Sequence, residues 1–486
     1  MYCDINRKTA DERRILSPLS VFGAKTPDAP AMIWKNQSVS YLRLLETVMK
    51  NAARLKAMNL PQGPVIAVSS TTPALLLLIW SCFHAGIEIC PVNPGFAPRQ
   101  LEAIIENLRP AACWLQADLP GRLRIENVFA HVPRLEPDFA LNGETAENIH
   151  QEPLYLDLLR SADLILTSGS SGAPKAAVHR LANHFASADD NDPLSPDDRY
   201  LQSLPMFHIG GLAIAFRCFR AGAAVVFRDP AKNLAHEILR HRITHLSLVP
   251  TQFYRLLKEG FDFRKTALKK IMLGGGVITA KLLEDALASG VCPHVSYGMT
   301  ETSSQICTRK IASAADISDL HAGPPLKHRI VAVDKGEILV KGDTLFMGYR
   351  RNGRTELPLD ENGFFHTGDT GSLKHGCLYV TGRIDSRFVS GGENIQPEPI
   401  ERLICELSGA SRAIVTGVED PEWGMMAVAV TDASAEGLKE KLKENLAPHQ
   451  VPKVFLPWPK DAETGLKVSR HKIRQYASDM LQKGAS

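Results

Sequence analysis

The chain has 486 residues, more than one hydrophobic core supports, so two or three domains are expected. With 44% hydrophobic residues, 22% charged residues and a net charge of +3, it reads as an ordinary soluble globular protein, with no field that implies nucleic acid. Its nine cysteines are scattered, without a Cys-x-x-Cys pair or His/Cys spacing suited to zinc, which makes a reducing cytoplasm the expected compartment.

Met1 to Ile15 carries charge throughout and lacks an apolar core, so no secretory signal is visible. Apolar spacing predicts a helix over Ser40 to Met58, a strand over Val65 to Ser69 and a helix over Pro73 to Ala85. The stretch Ala74 to Cys90 is the most membrane-like, yet His84, Gly86 and Glu88 interrupt it, so a buried helix is expected and no membrane insertion. The segment Ile89 to Phe96, the amphipathic helix Arg99 to Leu108 and the strand Ala111 to Gln116 complete a first alternating block. Residues 117 to 160 lack a clear period and read as loops.

An apolar run beginning at Leu164 then ends in Thr167-Ser168-Gly169-Ser170-Ser171-Gly172-Ala173-Pro174-Lys175. Hydroxyl donors, two glycines that let backbone N–H groups approach an anion, and a lysine make a phosphate-gripping loop on the end of a strand. It is not the common P-loop, because Pro174 precedes Lys175 and Ala176 follows it. Alternation resumes with strands over Tyr200 to Leu204, Ala224 to Phe227, His245 to Val249, Lys270 to Leu273 and His294 to Tyr297. Between them lie helices over Gly211 to Cys218, Leu234 to Arg240, Thr251 to Lys258 and Lys281 to Ala288. Two such blocks predict an α/β fold with two doubly wound sheets in one large domain. Beyond residue 323 short β segments (Val331 to Val333, Glu337 to Val340, Leu378 to Val380) suit an antiparallel subdomain. A small α+β domain follows Asp385, giving domains of 1–384 and 385–486.

The loop resembles the first core motif of the adenylate-forming superfamily of acyl-CoA synthetases, luciferases and peptide-synthetase adenylation domains, with Ser171 where Thr is usual. Four further clusters follow in that family's order: Tyr297-Gly298-Met299-Thr300-Glu301, His366-Thr367-Gly368-Asp369, Gly382-Arg383-Ile384-Asp385 with Ser390 to Ile395, and Gly465-Leu466-Lys467-Val468-Ser469-Arg470. The resemblance implies ATP, Mg²⁺ and coenzyme A, with an acyl-adenylate formed first and a thioester second. It implies that Thr167 to Lys175 holds the β/γ-phosphates, that Thr300 meets the α-phosphate, and that Glu301 places the metal. It further implies that Gly274, Gly275 and Tyr297 border the nucleotide, that Asp369 and Arg383 take the ribose, and that Lys467 meets the charge developing at the α-phosphorus. Lys467 then lies in the small domain, so closure about a hinge at Asp385 is expected. By the same analogy a homodimer is one expected assembly.

Leu204-Pro205-Met206-Phe207-His208 resembles the family's segment at the mouth of the acyl pocket, with His208 assigned to substrate and catalysis, and it lacks the Asp that would hold an amino acid's ammonium. Only sixteen residues follow Arg470, too few for a carrier domain, which favours a free-standing CoA ligase. Pro174 to His179, Ser203 to His208, Ser247 to Gln252 and Ser390 to Pro397 look like the o-succinylbenzoate–CoA ligases of menaquinone biosynthesis. Their substrate keeps a second carboxylate, which needs a cation; Arg217, with Ser304, matches that position. A ligase for a medium-chain fatty or aryl acid, and a nucleotide-binding homologue without catalysis, are the alternatives.

Overall fold

The computed structural model describes residues 13–135, 153–167, 174–189, 192–276, 278–390, 393–420, 423–459 and 469–484. Local chemistry sets many of the element ends. The helix Pro73–Ala85 starts where Thr72 Oγ1 accepts from the Leu75 amide, with Pro73 at its first position, and stops at Gly86 in the left-handed region. Leu75 to Phe83 are all buried, as expected for a core helix. No helix among the described residues is long and apolar enough to cross a membrane.

Two mixed sheets carry the larger part of the chain. One runs, in spatial order, through Ser304–Lys310, His294–Met299, Lys270–Leu273, His245–Leu248, Arg199–Gln202, Ala224–Phe227, Pro30–Trp34 and Gln37–Ser40. Its six inner strands are parallel, and the strand at each edge is antiparallel. The other runs through Arg354–Glu356, Gly348–Arg351, Lys175–Arg180, Ser161–Thr167, Ile89–Val92, Val65–Val68 and Ala112–Leu115. A four-stranded antiparallel sheet (Ile330–Asp334, Glu337–Lys341, Phe365–Lys374, Cys377–Arg383) follows.

The α/β class with two sheets agrees with the sequence, but the sheets are not built from consecutive blocks. Pro30–Trp34 crosses over to pair with Ala224–Phe227, and the hairpin it forms with Gln37–Ser40 is absent from the sequence reading. Residues 117 to 160, read as loops, contain the helix Arg122–Val128 and the strand Tyr155–Asp157. The strands Ser161–Thr167 and Lys175–Arg180 pair antiparallel, with Thr167 facing Lys175.

The first sheet has unlike faces. Leu201, Leu246, Leu248, Ile271, Leu273 and Val295 join a core against the outer helices. Tyr200, His245 and Lys270, aligned in register, point the other way, toward the helix Ile209–Ala221. Period two thus places a polar wall where an apolar one would otherwise close the interior.

After Asp385 come a short hairpin (Phe388–Ser390, Glu393–Ile395), a helix Pro397–Ser408 and a three-stranded sheet (Ala413–Asp420, Gly424–Thr431, Val454–Pro457). Ile400, Ile404, Val415 and Leu442 pack on one face of that sheet, and Ile414, Val428, Val430, Ile473 and Ala477 on the other. Arg470 begins the last helix and bonds both oxygens of Glu401 at 2.6 Å, while the Val415 amide donates to the same carboxylate at 2.8 Å. Burial nevertheless holds the Glu401 carboxyl above its usual range. Arg470→Ala leaves that buried carboxylate without a cation, and urea denaturation should show a loss of about 3 kcal/mol, partly recovered in Arg470→Lys.

Candidate active site

The inner strands of the first sheet end along one edge, where open α/β sheets bind ligands. Four loops leave that edge. Ser203 to His208 follows the strand Arg199–Gln202; Val249 and Pro250 follow His245–Leu248; Gly274 and Gly275 follow Lys270–Leu273; and the 3₁₀ turn Thr300–Thr302 follows His294–Met299. Close packing explains two of the glycines: a Cβ on Gly274 would stand 3.1 Å from the Ser296 carbonyl oxygen, and Gly275 has φ +72°. Their role at the nucleotide rests on the sequence resemblance.

Tyr297, Asp369 and Arg383 converge as the motifs imply. The Tyr297 hydroxyl donates to Asp369 Oδ2 at 2.6 Å, and Arg383 Nη1 donates to Oδ1 at 2.9 Å across the antiparallel pair Asp369/Arg383. Burial and the Asp369 charge push the Tyr297 hydroxyl far above its usual range, so it acts as a donor. A carboxylate has about four lone-pair sites, so Asp369 can still accept from a vicinal diol. Arg383 Nε also reaches Asp385 at 2.8 Å, tying this cluster to the junction with the C-terminal unit.

Glu301 is buried, and its Oε1 accepts from the Tyr349 hydroxyl at 2.7 Å. Lys175 Nζ lies 5.3 Å from the centre of the Tyr349 ring. One tyrosine therefore joins the lysine of the phosphate loop to the acidic residue of the Thr300 motif. Sequence reasoning missed it, because Tyr349 arrives on a short strand (Gly348–Arg351) paired against Lys175–Arg180, with no motif around it. The carboxylate of Glu301, with Oε2 taking no hydrogen bond among the described residues, is a hard-oxygen donor of the kind Mg²⁺ prefers. Ser168, Gly169, Ser170, Ser171 and Gly172 lie outside the described residues, as does Lys467.

His208 caps the helix Ile209–Ala221 with its backbone and is itself exposed at the loop, its ring against Phe207. Arg217, on the same helix, is 7% exposed. Its Nη2 donates to Gln305 Oε1 at 2.6 Å and lies 3.4 Å from Ser304 Oγ, while its Nε has no hydrogen-bond partner. Gln305, missed in the sequence, is turned toward Arg217 because its amide nitrogen is engaged by Thr308 Oγ1 at 2.5 Å and Ser296 Oγ at 3.3 Å. No carboxylate pairs with Arg217 among the described residues. The guanidinium borders a cavity of about 250 Å³ that Tyr200, His245, Lys270 and Met272 also line, together with Asp189 and Asp192, the latter paired with Lys270 at 3.3 Å. A buried guanidinium with spare donors is a receptor for an anionic group.

Residues 19–350 match the model of the AMP-binding enzyme family. The 2-succinylbenzoate–CoA ligase of Salmonella typhimurium is 33% identical over 93% of this chain and 95% of its own length. The Bacillus subtilis o-succinylbenzoate CoA synthetase in complex with the acyl-adenylate intermediate OSB-AMP superposes with a TM-score of 0.82 at 29% identity, over 95% of this chain and 98% of that one. The same synthetase in complex with ATP and magnesium ion gives 0.79 at 29% identity, over 91% and 96%. The ordered motifs and these likenesses agree: the chain belongs to the AMP-binding enzyme family.

Proposed function

We propose that this chain is an AMP-forming acid–CoA ligase that converts o-succinylbenzoate to o-succinylbenzoyl-CoA in menaquinone biosynthesis. The succinyl carboxylate attacks the α-phosphorus of ATP and pyrophosphate leaves; the thiol of CoA then displaces AMP from the acyl carbon. The first step needs positioning and anion stabilisation more than acid/base chemistry. Thr167 to Lys175 hold the departing phosphates, Thr300 meets the α-phosphate, Tyr297 and the loop Gly274-Gly275 border the base, and Asp369 and Arg383 fix the ribose. Mg²⁺ at Glu301 would neutralise phosphate charge. His208 stands at the mouth of the acid site.

The observation that carries the choice of acid is Arg217, buried and without a carboxylate partner among the described residues, with an unsatisfied Nε beside a cavity. A second, unreacting carboxylate satisfies it, and Ser304 adds a hydroxyl; a long apolar acid would leave it unpaired at a cost of several kcal/mol. The relatives named above act on the same acid by their names.

Residues 1–384 form the nucleotide-binding part, and residues 385–486 form a mobile lid that turns about Asp385. Lys467 belongs to the lid and serves the first step only. Acid-dependent exchange of labelled pyrophosphate into ATP tests the assignment as a ligase. Exchange stimulated by o-succinylbenzoate is expected, and its absence would point to a homologue that binds nucleotide without catalysis.

A further inference from the structure

Behind the phosphate hairpin lies a fully buried acid between two histidines. Asp163, on Ser161–Thr167, is 0% exposed; His179, on the returning strand, is 0%, and His184, on the next helix, is 1%. His179 Nδ1 faces Asp163 Oδ2 at 3.1 Å, and His184 Nε2 faces Oδ1 at 2.5 Å. His179 Nε2 stands 2.8 Å from the carbonyl oxygen of Thr300, 121 residues away in sequence. That carbonyl only accepts, so Nε2 carries a hydrogen; with Nδ1 turned to a carboxylate, both ring nitrogens of His179 are engaged. With Asp163 between the two rings and His179 Nε2 on the Thr300 carbonyl, the group forms a hydrogen-bond relay.

The relay ends on a strained backbone, whose own turn bond runs from the Ser303 amide to the same Thr300 carbonyl at 3.0 Å. After the turn Thr300–Thr302 come Ser303 at φ 53° and Ser304 at φ 110°, neither of them glycine. Such conformations cost about 1–3 kcal/mol each and persist only where neighbours over-determine them. The neighbours here are specific: Phe346 N donates to the Glu301 carbonyl, Ser187 Oγ to the Ser303 carbonyl, Ser303 Oγ to the Thr344 carbonyl, and His179 to the Thr300 carbonyl. Among these, His179 alone stands on the strand pair that carries the phosphate loop at its other end.

We propose that His179 is a positioning residue for adenylation: Asp163 fixes its ring, and its Nε2–H sets the Thr300–Glu301 turn relative to the hairpin that holds the leaving pyrophosphate. The inference rests on the adenylating function proposed above. A shift of about 1 Å between groups that must act together can cost about 100-fold in rate. The second step, in which pyrophosphate is already gone, does not need that register.

The test compares His179→Leu, which removes the donor, and His179→Gln, which can still donate to the Thr300 carbonyl, with the unmodified chain. Measured are o-succinylbenzoate-dependent ATP–pyrophosphate exchange, thioester formation from synthetic o-succinylbenzoyl-AMP and CoA at saturation, and the melting temperature. We expect exchange kcat to fall about 100-fold in His179→Leu and about tenfold in His179→Gln, with thioester formation within about threefold of the unmodified chain. Should the leucine variant not fold, His179→Gln decides alone. Equal losses in both half-reactions, unchanged exchange in His179→Leu, or a loss in His179→Gln as large as in His179→Leu would overturn the positioning role while leaving the adenylating function intact. No exchange in the unmodified chain would overturn both.

Discussion

Lys467→Ala is expected to lower acid-dependent ATP–pyrophosphate exchange by about 1,000-fold and to leave thioester formation from synthetic o-succinylbenzoyl-AMP within about threefold. The physical reason is where charge develops. As the carboxylate oxygen approaches the α-phosphorus, negative charge builds on the equatorial oxygens and on the departing pyrophosphate. The residues gathered at the sheet edge supply hydroxyls, carboxylates and Arg383, which is already engaged by Asp369 and Asp385. Lys175, the remaining cation of the motifs on that side, is committed in sequence to the phosphate loop. In the proposed division of the chain, Lys467 supplies the missing positive charge for the first step. The acyl-adenylate, once made, reacts at its acyl carbon and no longer needs that charge. A comparable fall in both half-reactions would show that Lys467 supports the fold or the binding of AMP, and the division of labour would fail.

Arg217→Ala should raise the KM for o-succinylbenzoate about 100-fold and change the KM for ATP less than threefold. The guanidinium is set by the amide of Gln305 and held on a helix whose other inward residues, Leu212, Ile214, Phe216 and Cys218, are apolar and buried. Truncation exchanges a charge-assisted hydrogen bond for a cavity that strands the substrate's second carboxylate. Arg217→Lys should recover only part of the loss, since an ammonium cannot reproduce the planar fork. Steady-state kinetics with each substrate varied separately checks this; parallel increases in both KM values would mean that the mutation distorts the whole site.

Much of the fold was legible because local signals and tertiary demands coincided. The helix Pro73–Ala85 has its hydroxyl cap, its proline and its terminal glycine in sequence, and the strands Ala224–Phe227 and Lys270–Leu273 fall where short apolar runs meet turn residues. The hairpin of Pro30–Trp34 with Gln37–Ser40 escaped because its turn places Lys35, not glycine, at φ 54°. The helix Arg122–Val128 escaped because it buries only Ile125 and exposes Leu123, so no period stands out. In the site, motif residues were readable one by one, and Tyr297, Asp369 and Arg383 meet in one hydrogen-bonded cluster. The residues that tie motifs together were not. Tyr349, Gln305 and His179 act through partners that are distant in sequence or, like Ser304 and Arg217, on different elements; pairing of that kind exists only after folding.

The central claim is that a buried arginine makes this ligase specific for an acid with a second carboxylate. The most direct measurement is CoA-dependent AMP release with o-succinylbenzoate and with 3-benzoylpropionate, the same keto acid without the ring carboxylate. We predict kcat/KM at least about 100-fold higher for o-succinylbenzoate, because the shorter acid leaves the Arg217 site unpaired. Equal values for the two acids, or no AMP release with o-succinylbenzoate while a medium-chain acid is turned over, would contradict it.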